Sequence, residues 1–142
     1  MKTNKDEKDF ASESEHDQQM LARANLKIQV TVEYEKERSK VGEYVFSYRI
    51  NIQNQSTETL QIIARQWLIR DANDQVYEVK GLGIIGQQPI LKPQQIHEYQ
   101  SFAILKTQKG QMRGYFLCIS ENTELMIANI ETFDLAPKYI LH

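Results

Sequence analysis

A strict alternation of apolar and polar side chains begins at Leu26 and constrains the fold more than any other feature of the chain. The apolar positions are Leu26, Ile28, Val30, Val32 and Tyr34, and the residues between them are polar. A period of two with β-branched enrichment is typical of a strand that buries one face. The same alternation returns over residues 44–52. Half-buried strands of this kind need a second sheet to cover their apolar faces, so a two-layer β structure is indicated.

Seven strands are predicted, and the pattern places them at residues 26–34, 44–52, 60–70, 75–80, 96–101, 111–120 and 123–130. The third is apolar on both faces, so we expect it in the middle of a sheet. Polar turns at residues 71–74 and 121–122 predict hairpins. The expected fold is all-β: a fibronectin type III or immunoglobulin-like sandwich of about seven antiparallel strands.

The N-terminal segment has a different composition. Residues 1–19 carry three lysines against six carboxylates, a net charge of −3, and Phe10 is their only aromatic side chain. Such a segment buries too little apolar surface to offset the entropy of ordering it. We therefore predict a flexible acidic tail over residues 1–24, disordered or forming a short helix with Ser12 and Glu15 at capping-box spacing. Residues 25–142 form the predicted sandwich domain.

Charge and cysteine content narrow the range of partners. The 142 residues have a formal net charge of −2, without the concentrated Lys and Arg that nucleic-acid binding needs. Cys118 is the only cysteine, which excludes an intramolecular disulfide and a multi-cysteine zinc site, and His16, His97 and His142 lie far apart. No apolar run is long enough to span a membrane and no signal peptide is recognisable, so we expect a cytoplasmic protein without membrane insertion.

The sequence offers no catalytic constellation and no metal-ligand set. Cys118 lies in an apolar run and is expected to be a small buried hydrophobe. His97 and Glu98 are neighbours on a predicted strand, so their side chains point to opposite faces and form a poor acid–base pair. Trp67 lies on the predicted central strand and is expected in the core.

A glycine motif follows the predicted hairpin. Gly81, Gly83 and Gly86 match the pattern G-x-G-x-x-G. In a dinucleotide-binding fold this pattern opens a helix, but Pro89 and Pro93 prevent a regular helix here. We therefore reject binding of NAD or FAD by a Rossmann mechanism.

Two interpretations of the glycine motif stay open. The glycines can form a tight turn that Leu82, Ile84 and Ile85 anchor by burial. Alternatively, successive backbone N–H groups can form a nest for a pyrophosphate or nucleotide, with Lys80 and Arg65 supplying positive charge. The candidate ligand-binding set is therefore these two cations together with Gly81, Gly83 and Gly86.

Several segments together resemble one known family, ApaG. They are ARQWLIRDAN at residues 64–73, VKGLGIIGQQPILKP at residues 79–93, the shorter runs at residues 98–101 and 111–115, and the C-terminal run at residues 130–142. Gln66 stands where the family usually has His, Gln87 where it has Glu, and Gln94 where it has Gly. Both a His and a carboxylate are better metal ligands than Gln, so these differences weaken any idea of metal binding there.

The resemblance implies a fibronectin type III-like sandwich without an established enzymatic reaction. Bacterial members of the family are linked to cobalt resistance and magnesium efflux. The resemblance also implies that the domain of eukaryotic relatives is a protein-interaction module. It also proposes the glycine loop as a pyrophosphate or nucleotide site.

Three functional hypotheses follow. The first is a non-enzymatic module that binds an unidentified protein partner, and the alternative is a pyrophosphate or nucleotide sensor that uses residues 81–86. The third, an enzyme acting on phosphoanhydrides, has little support because no acidic metal cluster accompanies the loop. Sandwich edge strands can also pair two chains in a homodimer, although the charges along residues 33–40 discourage this at that edge.

Overall fold

The computed structural model describes residues 20–138, which form nine strands and one 3₁₀ turn. The strands are β1 (Ala22–Arg23), β2 (Leu26–Tyr34), β3 (Tyr44–Asn54), β4 (Leu60–Asp71), β5 (Val76–Leu82), β6 (Ile90–Leu91), β7 (Ile96–Leu105), β8 (Gly110–Ser120) and β9 (Leu125–Leu135). The 3₁₀ turn covers Lys36–Arg38. The predicted disorder or short helix at residues 1–19 lies outside the described residues. No helix within residues 20–138 has the length and apolar character needed to cross a membrane.

The strands form two sheets, which confirms the predicted all-β sandwich. The larger sheet has the order β1-β9-β8-β4-β5, with β6 also paired to β4, and the smaller has the order β2-β3-β7. Every pair is antiparallel except β1 with β9. The expected central strand, now β4, has β8 on one side and β5 and β6 on the other.

The strand count differs from the expected seven because of two short strands, β1 and β6. Each has only two residues, too few to show a period in the sequence. Ala22 and Arg23, which the sequence placed in the tail, pair with Met126 and Ile127 of β9. The strands β7 and β9 also run further than predicted, to the fully buried Leu105 and Leu135.

Trp67 lies in the core between the sheets, as predicted, and is 2% exposed. Its ring packs edge-on against Tyr48 of the smaller sheet at a centroid distance of 5.7 Å and against Phe133 at 6.0 Å. It also contacts Phe116 of β8 at 6.4 Å. Such aromatic contacts join both layers, and truncating a core tryptophan costs roughly 3–5 kcal/mol.

The predicted hairpin between β4 and β5 turns on the carboxylate of Asp71. Its Oδ1 accepts hydrogen bonds from the backbone N–H of Asn73 at 3.3 Å and of Gln75 at 3.2 Å. Asp74 has a φ of 65°, a conformation that Asp tolerates better than most residues. Asp and Asn at these positions therefore form the turn by the mechanism expected from the sequence.

Strand β4 contains an irregularity that decides which side chains reach the core. Its register against β8 shifts between Ile62 and Ala64, which is a β-bulge at Ile63. Before the bulge Ile62 is buried, and after it Trp67 and Ile69 are buried. An extra residue in one strand changes which positions face inward, so the odd-numbered Arg65 and Trp67 after the bulge share the core face with the even-numbered Ile62 before it.

Two core tyrosines differ in how their hydroxyl groups are satisfied. The Tyr48 hydroxyl is hydrogen-bonded to Ser101, whereas the Tyr99 hydroxyl is buried without a partner among the described residues. Desolvation raises the pKa of both groups above the ordinary value of 10.0. The folded chain thus holds these protons at a pH where the unfolded chain releases them, so stability falls as the pH rises above about 10.

We predict that Tyr99→Phe raises the free energy of unfolding at pH 7 by about 1 kcal/mol, because it removes an unsatisfied buried hydroxyl. It should also reduce the loss of stability above about pH 10. The matched variant Tyr48→Phe removes a hydrogen bond and should lower stability by about 1 kcal/mol. Urea unfolding at neutral and alkaline pH measures both effects. A destabilised Tyr99→Phe would show that this hydroxyl has a partner.

Candidate functional site

The glycine loop, residues 81–89, is a detour in the edge of the larger sheet. Strand β5 pairs with β4 up to Leu82 opposite Ala64, and β6 resumes the pairing with Ile90 opposite Gln61. Both strands run antiparallel to β4, so together they form one interrupted edge strand. The interruption lies beside the bulge at Ile63.

Hydrogen bonds fix this loop onto the bulge. The carbonyl oxygen of Ile63 accepts from the Gly83 N–H at 2.7 Å and from Nε2 of Gln88 at 3.0 Å. Ile62 N–H also donates to the Pro89 carbonyl at 3.0 Å. The side chain of Ile84 is 1% exposed and anchors the loop in the core.

The tip of the loop is a two-residue hairpin. Ile84 N–H donates to the Gln87 carbonyl at 2.7 Å, and Gln87 N–H donates back to the Ile84 carbonyl at 3.0 Å. The central residues Ile85 and Gly86 have φ values of 47° and 74°. Two central residues with positive φ are the mark of a type I′ turn, which favours Asn-Gly. A β-branched isoleucine in this region is strained by about 1–2 kcal/mol.

Gly83 is required both by close approach and by turn geometry, and Gly81 gives room to a neighbouring side chain. A Cβ at Gly83 would lie 2.4 Å from the Gln87 carbonyl oxygen, and its φ is 69°. A Cβ at Gly81 would lie 3.0 Å from Nη1 of Arg65. The pattern G-x-G-x-x-G thus arises here from a tight hairpin with a guanidinium packed against it.

The structure brings Arg65 to the glycine loop but directs Lys80 elsewhere. Arg65 Nη1 donates to the carbonyl oxygens of Leu82 at 3.3 Å and Gly83 at 3.2 Å. Lys80 is paired with Gln66, one position from Arg65, so these two cations project from opposite faces of the sheet. Lys80 Nζ lies 3.4 Å from a carboxylate oxygen of Glu78. Arg65, Lys80 and Gly81 therefore lie on the β4–β5 pair and Gly83 and Gly86 in the loop after it, and the two cations are not directed to one point.

Backbone donors of the loop are also largely engaged. The N–H groups of Gly83, Ile84 and Gln87 donate to carbonyl oxygens within the loop and its bulge. An anion nest needs successive N–H groups that converge on a ligand. Ile85 and Gly86 at the tip are successive residues whose N–H groups these bonds do not engage, and anion binding here stays a prediction.

Three apolar side chains on the loop and its flanking strands are exposed to solvent instead of buried in the core. Leu82 is 79% exposed, Ile85 57% and Ile90 61%. The expectation that Leu82 and Ile85 are buried anchors is therefore wrong, and only Ile84 has that role. The sequence holds no signal for this difference, because adjacent isoleucines are chemically alike and the turn alone selects which one faces inward. We call Leu82, Ile85 and Ile90 the loop surface.

A polar network lies on the outer face of β4, and sequence reasoning missed it. Gln66 is 6% exposed, accepts a hydrogen bond from the Tyr115 hydroxyl and donates to Oε2 of Glu78 at 3.1 Å. Glu78 in turn pairs with Lys80. The cross-strand positions of Gln66 and Tyr115 were readable only once the register was known. Within residues 20–138, no three His, Cys, Asp or Glu side chains group as metal ligands.

The remaining candidates for chemistry are engaged in the scaffold. Cys118 is fully buried, as predicted, and burial raises the pKa of its thiol to about 12. It is therefore protonated at neutral pH and a poor nucleophile. His97 stacks 6.2 Å from the Tyr99 ring, while Glu98 lies on the other face, 3.4 Å from Arg49. The two neighbours do not form an acid–base pair, as expected.

Comparison with known proteins gives consistent results. A family model described as "ApaG domain" matches residues 34–120. "Protein ApaG" of Ralstonia nicotianae is 40% identical over 124 residues, covering 86% of this chain and 100% of the relative. "Protein ApaG" of Thiobacillus denitrificans is 42% identical over 119 residues, covering 82% of this chain and 94% of the relative.

Solved structures extend this similarity to the fold. A crystal structure of the ApaA protein from Bordetella pertussis matches with a TM-score of 0.78 and 39% identity, covering 82% of this chain and 97% of that one. The C-terminal domain of Wzt matches with a TM-score of 0.53 at 8% identity, covering 82% of this chain and 75% of that one. This second likeness concerns the sandwich fold alone.

We predict that Ile85→Asn raises the free energy of unfolding by about 1 kcal/mol, because Asn-Gly suits the positive φ values of a type I′ turn. Val41→Asn is the matched control. Val41 precedes Gly42 in a similar two-residue turn and is 93% exposed, but only Gly42 of that pair has a positive φ. The control should change stability by less than about 0.5 kcal/mol in urea unfolding. Equal effects of both variants would contradict strain at Ile85.

Proposed function

Because this chain belongs to the ApaG domain family, we propose that it is a non-enzymatic protein-interaction module whose contact site is the loop surface. The observation that carries the proposal is the exposure of Leu82 and Ile90, on the strands flanking the loop, and of Ile85 on its hydrogen-bonded tip. Exposed apolar side chains on a rigid support are typical of protein contacts, since little conformational entropy is lost on binding.

Strain at the tip supports the same proposal. Ile85 adopts a φ of 47°, although Asn or Gly would do so at lower cost. Residues kept in costly conformations often serve a binding role, and here the strain directs an isoleucine side chain away from the core. Stability alone would favour a polar residue at this position.

The electrostatics favour a neutral partner surface over an anion. Arg65 donates to two loop carbonyls, and Lys80 lies beside Glu78 on the other face. Charge already committed to internal partners contributes less to binding an external anion, because the internal contacts must first be broken. We therefore place the apolar contact first and the pyrophosphate or nucleotide sensor second.

We further propose that the link of this family to cobalt resistance and magnesium efflux is indirect. A domain that contacts another protein can alter that protein's activity without moving an ion itself. In this proposal the loop surface would bind a component that controls efflux in the cytoplasm. The scaffold roles of Cys118 and His97 fit a binding function better than catalysis.

Affinity capture with matched variants tests the proposed contact site. The double variant Leu82→Ser, Ile85→Ser should reduce recovery of a specific partner by about tenfold or more, since one apolar hot-spot residue contributes about 2 kcal/mol. The control Val41→Ser, Leu125→Ser removes two exposed apolar side chains elsewhere and should leave recovery unchanged. Equal recovery with both double variants would place the contact outside the loop surface.

Calorimetry decides between the two candidate functions. We expect no binding heat when the full chain is titrated with pyrophosphate or adenine nucleotides at millimolar concentration, with or without magnesium. Heat that disappears in Lys80→Met would instead support the sensor alternative. In parallel, we expect no turnover of diadenosine tetraphosphate, and measurable hydrolysis would contradict a non-enzymatic role.

A further inference from the structure

Strand β7 forms an edge of the smaller sheet and its outward backbone groups can be identified. Asn54 of β3 exchanges hydrogen bonds with the segment before β7, donating to the Gln95 carbonyl and accepting from the Gln94 N–H. The backbone N–H and C=O groups of the even-numbered residues of β3 therefore point toward β7. In the observed register these residues pair with the odd-numbered residues of β7. The even-numbered residues of β7 therefore direct their backbone N–H and C=O groups away from the sheet. These residues are Ile96, Glu98, Gln100, Phe102 and Ile104.

Apart from the charge of Glu98, this edge lacks the features that usually prevent pairing with another strand. Over its ten residues β7 contains no proline and no lysine, and its register against β3 is unbroken. Three exposed apolar side chains, Ile96, Phe102 and Ile104, lie on its outer face. Sequences normally protect a long edge strand with a charge, a proline or a bulge. Within residues 20–138, no backbone hydrogen bond beyond the β3 ladder reaches the outward groups of β7.

We propose that β7 pairs antiparallel with β7 of a second copy of this chain, about a two-fold axis at Gln100. This register places Ile96 opposite Ile104 at both ends of the pairing. Apolar cross-strand pairs of this kind stabilise a sheet. The two smaller sheets then join into one continuous sheet of six strands, and each even-numbered residue of β7 finds a backbone partner.

Charge complementarity supports the same register. Glu98 falls opposite Phe102, and the Arg38 guanidinium lies over the Phe102 ring, 5.0 Å from its centroid. Each copy's Glu98, which lies 3.4 Å from Arg49 of its own chain, thus also approaches the other copy's Arg38, and this contact occurs twice. An axis at Glu98 would place two carboxylates directly opposite, which is unfavourable. An axis at Phe102 would pair only residues 99–105 of the strand, because β7 ends at Leu105.

The interface is one strand edge on each side, so it lies at the small end of specific protein contacts. We therefore expect a reversible dimer whose population depends on concentration. This contact involves neither the glycine loop nor the loop surface. The proposed dimer and the proposed interaction module can therefore be tested independently.

Sedimentation velocity over a range from about 1 to about 500 µM tests the dimer with the full chain. The wild type should shift from monomer to dimer with rising concentration. Gln100→Pro removes an outward N–H, and Ile104→Lys adds a charge at the end of the pairing, so each should weaken the dimer by about tenfold or more. Thr31→Lys adds the same charge on the exposed face of β2, where it should have no effect. Circular dichroism checks that each variant is folded.

A monomeric wild type throughout this range, or equal dimerisation by folded Ile104→Lys, would overturn the proposal. The register has its own test, since only the residue on the axis lies opposite itself. A short bismaleimide should cross-link Gln100→Cys into dimers far more efficiently than Phe102→Cys or the control Thr31→Cys. The native Cys118 is buried and should not react. Preferred cross-linking at Phe102 would exclude the axis at Gln100.

Discussion

The carbonyl oxygen of Ile63 is the point on which the rest of this architecture depends. The register of β4 against β8 shifts at this residue, and its carbonyl oxygen accepts hydrogen bonds from Gly83 and Gln88 on the side of β5 and β6. These bonds hold the glycine loop against the sheet. The same bulge sets the side-chain alternation of the rest of β4, so one irregularity determines both the position of the loop and the inward direction of Trp67 and Arg65.

The two cations near the loop make contacts within the fold. Arg65 occupies a core-facing position in the middle of β4 and donates hydrogen bonds to two loop carbonyls, and the absence of a Cβ at Gly81 gives it room. Lys80 belongs to a separate polar network with Glu78 and Gln66 on the opposite face. A sequence motif that resembles a phosphate loop is thus accounted for by packing and turn geometry. The apolar side chains at its tip are left without such an explanation, and they are the ones available to a partner.

Strand positions and hairpins were predictable because their signals are local. A period of two marks β2 and β3, an apolar run on both faces marks β4, and Asp and Asn mark the turn after it. A single tryptophan within that apolar run marks the core. The bulge also left a trace, since the adjacent Ile62 and Ile63 break the alternation of β4. A two-residue strand such as β6 leaves none, because it exists only through pairing with Leu60 and Gln61.

The sequence by itself determined that this chain forms two facing sheets, that Trp67 and Cys118 are buried, and that Pro89 and Pro93 prevent a regular helix after the glycine motif. These follow from side-chain alternation, composition and the backbone geometry of proline. The sequence left open whether the glycines form a tight turn or an anion nest. Only the tertiary structure decided which loop side chains face solvent, that Arg65 and Lys80 lie on opposite faces, and that β7 forms an edge of the smaller sheet. Those features depend on strand register and on one bulge, and register is set by pairing between segments distant in sequence.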